Sequence, residues 1–227
     1  MTDHAAIARD FVELVANLRL DNAFNPYSDI CPDFDLSDAP AIRRQNLTNV
    51  LEAALSRRVR TVWIARDLGY RGGRRTGLAL TDEAHLGAHA SLFGAASLSR
   101  STNGPATSER TATIIWQMLL SIRQPIFLWN VFPLHPHEPG RPMSNRSHTR
   151  AERQHSRHVM VTLLRILGPE SVIAIGRDAQ TALADLGIAA KGVRHPSYGG
   201  QSEFVEEVKR LYGLPAAISD ETLSLFA

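Results

Sequence analysis

At 227 residues and 25.0 kDa, with 44% hydrophobic and 21% charged residues, the chain has the size and composition of one medium globular domain with a sizeable core. Its one cysteine, Cys31, excludes an intramolecular disulfide, a Cys-ligated zinc site and an iron–sulfur cluster. With no apolar run of about 18 residues and no signal-peptide pattern, the expectation is a cytoplasmic protein that does not meet a membrane.

A net charge of +2 and a pI near 9.0 point only weakly to nucleic acid. The cations are nearly all arginine, with lysine only at Lys191 and Lys209, and arginine suits forked phosphate contacts, although GC-rich coding gives the same bias.

In chain order, helical periodicity covers Ala5–Leu18 and Ala41–Leu55, separated by turn chemistry at Asn25-Pro26-Tyr27-Ser28. Val62–Ala65 reads as a short buried strand that ends in Arg66-Asp67. A loop follows in which Gly69, Gly72, Gly73 and Gly77 mix with Tyr70, Arg71, Arg74 and Arg75. Asp82–Phe93 is a predicted helix capped by Thr81 or Asp82, and a further helix runs from a Thr107 or Ser108 cap to Ile122.

Ile126–Val131 is the second strand, and the four-proline segment Phe132–Ser147 is an extended loop. Thr149-x-x-Glu152 is a capping box opening a helix that Gly168-Pro169 closes. Strands at Ser171–Ile175 and Ala189–Val193 enclose a helix over Asp178–Leu186, and Glu203–Tyr212 is the last helix. Short apolar strands alternating with helices predict one three-layer α/β/α sandwich around a parallel sheet of about four strands. The domain is expected over residues 1–227, with N-terminal helices in 1–58 and the motif-bearing core in 59–200.

Three loops then follow strand ends and should gather at one edge of the sheet, the usual ligand side of an open α/β sheet. They carry Arg66-Asp67 with Gly77-Leu78-Ala79-Leu80 ten residues past the Asp, Asn130 at the end of Leu128-Trp129-Asn130-Val131, and His195-Pro196-Ser197. In this order the motifs resemble the uracil-DNA glycosylase superfamily, over roughly Thr61–Gly200. The resemblance implies a glycosylase that cleaves the N-glycosidic bond of deoxyuridine in DNA, single- or double-stranded, as a monomer and without a cofactor or metal.

Under that resemblance Asp67 orients a water, His195 stabilises the leaving base and Asn130 reads uracil. Arg66, Leu80 and Tyr70 stand at base-binding positions. The expected DNA contacts are Ser197, Tyr198, Arg71, Arg74, Arg75 and Ser108. The residue types suit the chemistry: an amide donates and accepts at once, matching uracil but not cytosine. A histidine donates to the base oxygen as charge develops, and a carboxylate faces the cationic sugar.

The sequence departs from the best-known branch in three places. Gly69 stands where a tyrosine gate blocks the thymine methyl group, Leu80 where an aromatic ring stacks on the base, and Gly199 where a leucine wedge fills the duplex. The segment after Asn130 looks more like the iron–sulfur branch, whose four cysteines are not here. A glycosylase for hypoxanthine or xanthine, and a non-catalytic module binding damaged DNA, are the rival readings. His85 and His89 have helical i, i+4 spacing, but no third metal ligand is evident and no metal is expected.

Overall fold

The computed structural model describes residues 3–215, so the two ends of the domain expected over 1–227 lie outside the described residues. Four strands, β2 (Thr61–Ala65), β3 (Phe127–Asn130), β5 (Ser171–Ile175) and β6 (Lys191–Val193), form one sheet in the order β3-β2-β5-β6. Every pairing in it is parallel. No helix among the described residues is long and apolar enough to cross a membrane.

The strands are apolar on both sides because both sides are covered. Val62, Ile64, Phe127, Trp129 and Ala174 enter one core with α1 (His4–Ala16), α2 (Ala39–Ser56), α6 (Arg150–Leu167) and α7 (Arg177–Asp185). The alternate residues Trp63, Ala65, Leu128, Ile173 and Ile175 enter a second core with α5 (Arg110–Ile122) and α8 (Gln201–Tyr212). The expected sandwich is therefore a three-layer α/β/α fold, and the N-terminal helices belong to its first core.

Helix boundaries follow local chemistry. Thr149 and Glu152 make both bonds of the capping box at the head of α6, and Gly168 closes that helix at φ +54°. The expected cap of α5 is corrected. Neither Thr107 nor Ser108 caps it; Glu109 is the N-cap residue, its side chain making no cap bond, and Asp82 Oδ2 accepts the Glu109 N–H at 2.6 Å.

Thr107 instead bonds Glu83 through its N–H and hydroxyl at 2.8 and 2.6 Å. Burial alone raises a carboxyl pKa, yet bonds from Thr102 and Thr107 and the charge of Arg100 hold Glu83 below the usual range. The expected helix over Asp82–Phe93 divides into a 3-10 turn, Glu83–His85, and α4 (Leu86–Phe93), with Asp82 accepting the His85 N–H at 3.1 Å.

Two elements were not anticipated. The glycine loop contains a helical turn, α3 (Gly73–Thr76), closed by Gly77 at φ +71°. A Cβ there would stand 2.8 Å from that of Arg43, so glycine is required both for the turn and for the close approach of α2. The proline-rich segment is pinned at β4 (His135–Pro136), which pairs antiparallel with β1 (Ala23–Phe24).

Candidate active site

The parallel ladder between β2 and β3 continues into the loops, since Val131 N–H reaches Ala65 O at 2.9 Å and Phe132 N–H reaches Arg66 O at 3.0 Å. That extension fixes Asp67 just beyond the sheet. A cavity of about 400 Å³ opens there, and Asp67 and His195 both line it, with Arg66, Leu80 and Ser197.

Asp67 is held from two sides. Arg66 Nε donates to Oδ2 at 2.6 Å, and His148 Nδ1 meets Oδ1. Arg66 also bridges to Asp178, in the first turn of α7, at 2.5 Å. The Asp67 side chain is 6% exposed, so its charge is largely withdrawn from water and fixed in direction by two hydrogen-bonding partners.

His195 projects from the loop after β6. Gly176, at φ +87°, makes its approach possible, because a Cβ there would stand 3.0 Å from the Cβ of His195. The Ser197 N–H lies 3.1 Å from Nδ1 and the Ser197 hydroxyl 2.7 Å from it. A backbone N–H can only donate, so Nδ1 carries the lone pair and Nε2 the proton. Nε2 has no hydrogen-bond partner among the described residues. Burial, followed by the charges of Arg66 and Arg194, pulls the imidazole down to about 4, so at neutral pH it is uncharged.

The other expected residues are more scattered. Asn130 is paired across the ladder with Ala65, a lining residue, and so shares its face of the sheet, but it stands behind the cavity wall rather than on it. It is 1% exposed, and neither amide atom has a partner among the described residues. Such a bare buried amide is rare and calls for a reason.

Leu80 lines the cavity with its backbone in the left-handed region, at φ +54°. Tyr70 does not line it; its hydroxyl takes a bond from Arg71 Nε at 2.8 Å. Tyr198 lines the mouth, is 98% exposed and also has a left-handed backbone, at φ +50°. Ser108 is exposed and lies off the cavity wall.

The arginine cluster is corrected in part. Arg71 is exposed, whereas Arg74 is 2% exposed, stacked 3.8 Å over the Phe24 ring and bonded to Pro142 O at 2.8 Å. Arg75 stacks 3.7 Å over Phe34 and faces Glu83. Arg74 thus braces the loop from inside and has no surface to offer a phosphate. Of the two histidines with helical spacing, His85 pairs with Asp82 at 2.5 Å and His89 contacts Thr81 Oγ1 at 3.2 Å, and no metal-ligating cluster forms among the described residues.

Two groups at the site were missed: one that holds Asp67 and one that lines the cavity. His148 directly precedes the capping box, at the end of the loop that follows Asn130, and that position is the one sequence signal for it. Glu109 heads α5 and lines the cavity, its carboxylate lying against the glycine loop: a Cβ on Gly69 would meet Oε1 at 3.3 Å, and one on Gly72 would meet Oε2 at 2.5 Å. Burial and the neighbouring charge of Asp82 push the Glu109 carboxyl up. It has neither a hydrogen bond nor an ion pair among the described residues.

No family model and no curated protein matches the chain. Among solved structures, the wild-type SMUG2 of Pedobacter heparinus superimposes with a TM-score of 0.60 at 14% identity, covering 94% of this chain and 99% of that one. The likeness is one of fold.

Proposed function

We propose that this chain is a DNA-repair glycosylase that hydrolyses the N-glycosidic bond of deoxyuridine in DNA, releasing uracil and leaving an abasic site. The observation that carries the reading is that Asp67 and His195, from two different strand ends, line one cavity, with His195 neutral and its Nε2–H unclaimed. The fold shared with SMUG2 and the three ordered motifs support it alongside.

A base must leave the duplex stack to enter such a cavity. As the bond to the sugar lengthens, negative charge gathers on the base and positive charge on the sugar. The Nε2–H of His195 donates to the base oxygen as that charge grows; a neutral donor does this without taking up a proton first. Asp67, anchored by Arg66 and His148, sets a fixed negative charge against the sugar cation and orients the attacking water. Asn130 keeps a free donor and acceptor for uracil if the base presses past the present wall. Ser197 and Arg71 contact phosphates, and Tyr198, projecting from the mouth, enters the space the base vacates.

One observation favours a second substrate. Gly69 lines the cavity where a gate is expected and Tyr70 stands off it, so no aromatic gate there excludes a purine such as hypoxanthine. The test of the main reading is a uracil-containing oligonucleotide incubated with purified protein and then treated with alkali. Strand breaks at the uracil position are expected, and none above a protein-free control would sink the reading.

A further inference from the structure

Glu109 is an N-cap residue that does not cap. Asp82 accepts the N–H of Glu109 itself, and the Glu109 side chain, which makes no cap bond, turns into the cavity against Gly69 and Gly72. Nothing among the described residues binds its carboxyl group. A carboxyl group in a cavity wall without an internal partner is a group with its hydrogen-bonding capacity held open.

Its position is informative. It fills the space beside Gly69, where the resembling enzymes carry a gate that meets the base, while the amide of Asn130 lies behind the wall. Asp67 and His195 already supply groups for the sugar and for the leaving oxygen.

We infer that Glu109 is the residue that reads the edge of the base, its carboxyl group in the neutral form presenting one donor and one acceptor to a lactam N–H and C=O. This rests on the glycosylase reading. The lactam edge, one N–H beside one C=O, is common to uracil, hypoxanthine and xanthine. The carboxyl O–H donates to the lactam oxygen and the carboxyl C=O accepts from the ring N–H. Burial and then the charge of Asp82 push the Glu109 carboxyl up, against the charge of Arg71, a shift in the direction of the neutral form.

The test compares wild type with Glu109→Gln, Glu109→Ala and Gly69→Ala. Each is assayed in single turnover on matched oligonucleotides carrying uracil, hypoxanthine, xanthine or cytosine, and each is titrated with free uracil and free hypoxanthine for protection against thermal unfolding. A glutamine amide offers one donor and one acceptor permanently, so Glu109→Gln should stay within about tenfold of wild type on the preferred lactam. Glu109→Ala should lose about 100-fold and lose protection by the free base. Gly69→Ala, which crowds Oε1, should change the order of preference among the bases while melting like wild type, and it decides the matter should Glu109→Ala fail to fold.

Wild-type rates and base order in Glu109→Ala would overturn the inference and leave the glycosylase reading intact. So would a Glu109→Gln as impaired as Glu109→Ala, because a charged carboxylate would then be the working form. A wild type inert on every oligonucleotide but protected by free base, in a Glu109-dependent way, would sink the glycosylase reading and keep the edge-reading role. Loss of both activity and protection would overturn both.

Discussion

His135, in β4, and His195, in the loop after β6, are both imidazoles past strand ends of the parallel sheet, and both titrate far below an ordinary histidine, at about 3 and about 4, chiefly through burial. What separates them is the second nitrogen. His135 accepts from Arg74 at Nδ1 (3.0 Å) and meets Ser144 O and Asn145 at Nε2 (2.9 and 3.2 Å), so the ring is spent on holding two loops together. His195 spends Nδ1 on Ser197 and leaves Nε2 to the cavity. A depressed pKa alone therefore does not mark a reactive group; an uncommitted donor beside a cavity does.

The sharpest way to break the comparison is to remove each ring. His195→Ala should slow cleavage of the uracil oligonucleotide by about 100- to 1000-fold, the usual consequence of deleting one donor to a developing oxyanion. Its midpoint of urea unfolding should stay near that of wild type. His135→Ala should do the reverse. It leaves a void and a buried Arg74 N–H short of a partner, at a cost of about 2–4 kcal/mol, while the rate per folded molecule stays within tenfold. Equal effects of the two substitutions on rate would erase the distinction.

His148 offers the next test, smaller because it acts through Asp67. His148→Phe keeps the ring beside Phe132, whose centroid is 5.5 Å away, but removes the bond to Asp67. The maximal single-turnover rate should fall about 10- to 100-fold with affinity for the oligonucleotide unchanged. A loss confined to affinity would remove His148 from its positioning role.

The same two rings set a pH dependence, together with His89, which burial also holds at about 3. All three have folded pKa values below the unfolded value of about 6.5, so between these limits the unfolded chain binds more protons. Stability should therefore rise with pH from about 4 to about 6.5. Urea midpoints across that range measure it, and the His135→Ala series should show a shallower rise than wild type. A profile flat over this interval would mean that the rings are not buried as neutral species.

Why some of this was legible in sequence and some not comes down to range. Thr61–Ala65 and Ser171–Ile175 are apolar on both faces because helices cover both, and the Thr149–Glu152 box completes its two bonds within four residues, so order and layers follow from local pattern. Asp67 and His195 were legible because each sits directly past a strand.

His148 reaches Asp67 across 81 positions, and no spacing rule announces that pairing. Arg74 and Arg75 resemble Arg71 in sequence, but the α3 turn aims them inward onto Phe24 and Phe34, which lie 50 and 41 residues earlier. The place of Glu109 at the head of α5 is not local to Thr107–Glu109, because the carboxylates that hold Glu109 N–H and Thr107, Asp82 and Glu83, come from a different turn.

Asn130 tests whether a strand-end amide behind the wall behaves like His135 or like His195. If it reads uracil, Asn130→Asp reverses one hydrogen bond and should admit cytosine at a measurable rate. If Glu109 does the reading, the same change places an extra carboxyl group in a 1%-exposed site, lowers stability and leaves the base order as it was.

Tyr198 carries the smallest expected effect. At 98% exposure it contributes nothing to the core, so Tyr198→Ala should leave the melting temperature unchanged. Its proposed role at the cavity mouth is to occupy the gap left by a flipped nucleotide, and only a duplex has such a gap to fill. The substitution should slow cleavage in double-stranded DNA several-fold and leave the rate on the same sequence as a single strand alone. Equal slowing on both would make Tyr198 a stacking platform for the strand instead of a wedge.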